Sequence, residues 1–70
     1  MKKIYRWQPE FNRAIELFER EAKESKWSNS EGIRVIAKYK YGAKVSKLSG
    51  QWNKIVCVDD KLFAWLLLKI

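Results

Sequence analysis

The chain has 70 residues, no histidine, a single cysteine and a formal net charge of +7. A chain this short holds one small domain, residues 1–70, whose core supplies only roughly 3–5 kcal/mol of net stability. The lone Cys57 excludes an intrachain disulfide, and the missing histidines exclude Cys/His zinc sites and Ser/His or Cys/His nucleophilic catalysis.

The N-terminus, Met1-Lys2-Lys3-Ile4-Tyr5-Arg6-Trp7, opens with lysines but lacks the apolar stretch of a signal peptide. Pro9 to Lys26 reads as an amphipathic helix. Phe11, Ala14, Ile15, Phe18 and Ala22 fall on one face, and Glu16–Arg20 and Glu19–Lys23 are acid-first i,i+4 pairs on the other. Pro9 suits the first helical position, where its missing N–H costs nothing. Trp27 is expected to fold back onto the core, and Ser28 to Gly32 to form a turn-rich break.

From Ile33 the period changes to two. Ile33, Val35, Ala37, Tyr39 and Tyr41 alternate with Arg34, Ile36, Lys38 and Lys40, which predicts a strand with one wet face and Ile36 as its exception. Gly42 is read as a turn, Ala43 to Leu48 as a second strand, Ser49-Gly50 as another turn, and Gln51 to Val58 as a third strand. Lys61 to Ile70 is apolar on every side from Leu62 to Leu68; Asp59 or Asp60 can cap a helix there, and a fourth strand is the alternative. The expected class is therefore α+β: an N-terminal helix, a three-stranded antiparallel sheet and a short apolar C-terminal helix or strand, in the order α-β-β-β-α or α-β-β-β-β.

That α-β-β-β-α order is also the order of double-stranded-RNA-binding domains. The second helix of that family starts lysine-rich, whereas this chain reads Asp59-Asp60-Lys61-Leu62, so no residue is carried over. A helix-turn-helix over Ile36 to Ser49 is a lesser alternative, with Ala37 and Gly42 one residue too far apart for its usual spacing.

Charge is concentrated in the expected sheet. Residues 28–58 carry Arg34, Lys38, Lys40, Lys44, Lys47 and Lys54 against Glu31 alone. A basic sheet face meets phosphates well, because each neutralised phosphate releases counterions. Tyr41 and Trp52, set among these lysines, are candidates for stacking on bases. The bland counterpart is that lysines guard strand edges and keep a small protein in solution, while Tyr39 and Trp52 serve the core. Lysine outnumbers arginine here, which favours backbone contact over base reading.

Other chemistry is poorly represented. Cys57 lies in the apolar run Ile55-Val56-Cys57-Val58 and reads as a small buried hydrophobe. Asp59-Asp60 reads as a cap, and Gly32, Gly42 and Gly50 are isolated rather than a phosphate loop. No enzyme activity, cofactor or metal is implied. A membrane span is not expected from the short run at Leu62 to Leu68, and the lone cysteine suits a cytoplasmic protein. Leu62, Phe63, Trp65, Leu66 and Ile70 form either the last core element or an interface.

The expected function is nucleic-acid binding (DNA or RNA) by phosphate contacts from residues 34–54. The alternatives are an inhibitor or adaptor of the phage or mobile-element kind that docks on a larger acidic protein surface, and an obligate homodimer with a structural role.

Overall fold

The computed structural model describes residues 3–27 and 29–70. Met1 and Lys2, and Ser28 at the start of the expected break, lie outside the described residues. The chain runs β1 (Lys3–Tyr5), α1 (Pro9–Glu24), α2 (Ser30–Tyr41), β2 (Ala43–Leu48), β3 (Gln51–Cys57) and α3 (Asp60–Lys69). The strands form an antiparallel sheet in the order β1-β3-β2, which leaves β2 as an outer edge.

This architecture is α+β with three antiparallel strands and three helices, and it overturns the expected α-β-β-β-α and α-β-β-β-β orders. A short strand precedes the first helix. The segment expected to be the first strand, 33–41, is the second helix, and residues 61–70 are not a fourth strand.

The error over 33–41 has a definite physical source. Gly32, Ile33, Ile36, Ala37 and Tyr41 are buried, a helical spacing, whereas Tyr39 of the alternating set is 69% exposed. Both periods share Ile33, Ala37 and Tyr41, so Ile36, the exception to alternation, is the discriminating residue. The ends agree with a helix. The Asn29 side chain accepts the Gly32 N–H at 2.9 Å, and Gly42 closes the last turn at φ 53°, a conformation that favours glycine. The helix-turn-helix alternative fails as well, since Ala43 to Leu48 is strand.

α1 begins at Pro9 and buries Phe11, Ala14, Ile15, Leu17, Phe18 and Ala22. α3 begins under Asp59, whose carboxylate accepts from the N–H groups of Lys61 and Leu62 at 3.0 and 3.2 Å. Between β2 and β3, Ser49 and Gly50 both take positive φ, 53° and 81°, which makes the two-residue turn that suits the twist of a hairpin.

The sheet is two-sided in a simple way. Ile4, Ala43, Val45, Ile55 and Cys57 are buried on the helix side, together with Phe18, Phe63 and Leu66 from the helices. Each large apolar side chain so buried contributes roughly 1.5–3 kcal/mol relative to exposure. On the other face, antiparallel pairing aligns Lys3, Val56 and Lys44 in one row and Tyr5, Lys54 and Ser46 in the next. These six are exposed or half-buried, so the helices cover only one side.

A bulge breaks the alternation near the hairpin end. Ser46 pairs with Lys54, but Lys47 pairs with Trp52, which makes Asn53 the extra residue on β3. The slip carries Trp52 to the helix side, where it packs against the core opposite Lys47, which faces the helices by the regular alternation of β2. Trp27, expected to cover the core, remains partly exposed beside Gly32.

Candidate functional site

A groove of about 540 Å³ runs between α2 and the free edge of β2. Arg34 and Lys38, one helical turn apart, line one wall; Ala43 to Lys47 form the other, and Val58 closes it. Arg34, Lys38, Lys44 and Lys47 are all exposed. No carboxylate lines the groove, and among the described residues none of these four cations forms an ion pair.

Neutral groups position three of them, Arg34, Lys38 and Lys47, instead. Lys47 donates to the Ser30 hydroxyl at 2.8 Å and lies 4.6 Å from the centre of the Trp52 ring, with Arg34 at 5.6 Å from the same ring. Lys38 lies 5.5 Å from the Tyr39 ring. Cation–π contacts hold a charge in place without cancelling it. The groove is therefore a concentrated, uncompensated positive site.

Of the residues singled out in the sequence, the fold gathers Arg34, Lys38, Lys44 and Lys47 here, with Trp52 behind them. Arg34, Lys38 and Lys40 do not share a face. In a helix Lys40 points elsewhere, and its ammonium pairs with Glu21 at 2.7 Å. Lys54 is half-buried in the middle of the outer sheet face. Tyr41 is only 2% exposed and offers no surface for stacking on a base.

Tyr41 belongs to a different cluster that ties the three helices together. Its hydroxyl donates to one oxygen of Glu21, Lys40 donates to the other, and Lys69 donates to the Tyr41 oxygen at 3.3 Å. Burial pushes the Glu21 carboxyl up, but the hydrogen bonds from Lys40 and Tyr41 and the charges of Lys40 and Lys69 outweigh it, leaving a net shift below 4.5. Burial, followed by the bond to Glu21, holds the Tyr41 phenol well above its ordinary 10.0. Both groups are thus moved away from neutrality, the opposite of what proton transfer at pH 7 requires. The cluster reads as a latch between helices.

Tyr5 and Trp7 were overlooked in the sequence. Their rings stack in parallel, 4.7 Å between centroids and 2° between planes, and Trp7 is 78% exposed. The only available signal was two aromatic residues, two apart, immediately before the Gln8-Pro9 helix start.

The proposed C-terminal interface set divides too. Phe63 and Leu66 are buried in the core, and Leu62 and Ile70 are half-buried. Trp65 is exposed, together with Leu67 and Leu68, which were not in the set. Among the described residues, no helix is long and apolar enough to cross a membrane, and no group of three or more acidic, cysteine or histidine side chains could hold a metal ion. No family model, curated protein or solved structure matches this chain.

Proposed function

We propose that the protein binds nucleic acid, chiefly through phosphate contacts made by Arg34, Lys38, Lys44 and Lys47. The observation that carries this reading is four cations around one groove with no carboxylate to neutralise them. Three of the four are lysines, point charges suited to phosphate rather than to bidentate base reading. Four phosphate contacts correspond to a slope of log K against log salt of about −3.6 on duplex DNA and about −2.8 on a single strand.

Fluorescence anisotropy of labelled duplex DNA, single-stranded DNA and duplex RNA, titrated at several salt concentrations, tests the reading. The expected result is binding with a slope near those values, reduced by about 0.7–0.9 for each of Lys38→Gln and Lys47→Gln. Lys40→Gln, whose charge is already paired with Glu21, is expected to change the slope much less. Equal effects at Lys40 and Lys47 would show that only net charge matters and would remove the groove from the account.

One observation favours a second reading. The outer edge of β2 has no strand partner and borders the groove, so an extended acidic segment of another protein could add to the sheet there. Binding to such a segment without affinity for any of the three nucleic acids would favour this alternative.

A further inference from the structure

We infer that the Tyr5–Trp7 stack is a platform for an unpaired base, so that the nucleic acid bound is single-stranded; the inference rests on the phosphate-binding reading above. The turn between β1 and α1 builds this platform. The Gln8 N–H donates to the Tyr5 carbonyl at 2.9 Å, and the Gln8 side-chain oxygen accepts from the Tyr5 N–H at 2.7 Å. The Arg6 N–H is held by the carbonyl of Asn53, the bulge residue, at 3.1 Å. Three hydrogen bonds thus fix the segment that folds Trp7 over Tyr5.

Only one face of the indole is used by this stack, and Trp7 is absent from the core and from the groups packed on it. An aromatic ring held in place by backbone bonds yet open to solvent needs little reorganisation to accept another ring. Every base has a π-face, so such a site is tolerant of sequence.

Charge on the same face suits the occupant. Tyr5 lies directly beside Lys54, and the neighbouring row carries Lys3 and Lys44, with no carboxylate in either row. Lys44 also lines the groove. From β2 to β1 is two interstrand spacings, roughly 10 Å. One strand can therefore lay its phosphates along the groove, cross the outer sheet face and place a base on Trp7. In a duplex the interior bases are stacked on both faces, and only the two terminal pairs leave a face open to this ring.

The test compares a labelled oligothymidylate, an abasic oligomer of the same length and phosphate count, and a duplex of that length. Wild-type protein is expected to bind oligothymidylate about five- to 150-fold more tightly than the abasic oligomer, the range expected for one stacked base. Trp7→Ala is expected to erase that preference while leaving abasic affinity unchanged, and Trp7→Phe to restore part of it. Equal affinity of wild-type protein for the two single strands, or tighter binding of the duplex, overturns the platform and leaves the phosphate reading standing. An equal loss on both strands in Trp7→Ala overturns it as well, because it marks a structural role. Absence of binding to all three oligomers overturns both readings together. The wild-type ratio decides the matter even where circular dichroism shows that Trp7→Ala does not fold.

Discussion

Replacing Gly32 with alanine sets two effects of opposite sign against each other. Gly32 lies in the first turn of α2, where alanine is the better helix former by about 1 kcal/mol. A Cβ at this position would lie 1.8 Å from the carbonyl oxygen of Trp27 and 2.9 Å from its Cγ. That oxygen belongs to backbone held on both sides, since the Trp27 N–H donates to Ala22 at 2.8 Å and Asn29 caps α2 through the Gly32 N–H. Relief therefore requires the end of α1 and the start of α2 to separate. Overpacking that displaces backbone costs typically 1–3 kcal/mol and occasionally more. The 1.8 Å approach to backbone puts the cost near the top of that range, about 3 kcal/mol, so the clash wins with a net loss of about 2 kcal/mol after the propensity gain is subtracted. In a domain of this size such a loss consumes about half of the stability. Gly50→Ala is the control: no heavy atom lies within 4 Å of the added Cβ, so only its positive φ opposes the change, at about 1 kcal/mol. Urea unfolding followed by far-UV circular dichroism measures both. A Gly32→Ala variant as stable as wild type, or more stable than Gly50→Ala, would refute the close approach of α1 and α2. Because α2 carries Arg34 and Lys38, the folded fraction of the variant should also show a shallower salt dependence of the proposed nucleic-acid binding.

The latch between helices gives a pH signature. The folded-state pKa of Glu21 is lowered, so its contribution is present above about pH 4.5 and is lost as pH falls through the lower folded value. Glu21→Gln should flatten the acid limb of a stability–pH curve measured by urea titration. Tyr41 is shifted upward, so its contribution is intact below pH 10.0 and is lost as pH rises past that value toward its folded pKa. Tyr41→Phe should cost about 1.5 kcal/mol at neutral pH and weaken the alkaline limb. In α3, Phe63→Ala should cost about 3–5 kcal/mol and leave little folded protein, whereas Leu68→Ala, at a position 79% exposed, should stay within about 0.5 kcal/mol of wild type. A large cost at Leu68 would instead indicate that the outward face of α3 is covered by a second copy, which concentration-dependent melting would then reveal.

Several features were legible in the sequence because their causes are local. The apolar stripe and Pro9 marked α1, Ser49-Gly50 marked the hairpin turn, and Asp59-Asp60 marked the start of α3, where Asp59 is the residue that caps. Even the misread helix was signposted. Asn29 and Gly42 stand where a cap and a helix stop belong, and Ile36 breaks the alternation that argued for a strand. Weighing the ends of the segment with its period would have separated the two.

Other features depended on contacts between distant residues. β1 is three residues long and exists as a strand through its pairing with β3, some fifty positions away. The bulge at Asn53 decides which side of the sheet Trp52 occupies, and with it the pairing of Trp52 with Lys47, and no local pattern announces it. The same holds for charge. Six basic residues between 28 and 58 were visible as an excess, yet only the packing of α2 beside β2 decides that four line a groove, one pairs with Glu21 and one sits in the sheet. Composition and period act over a few residues and determine how much charge and apolar surface each element carries; which side chains meet is decided by register and helix packing, which sum weak preferences over the whole chain.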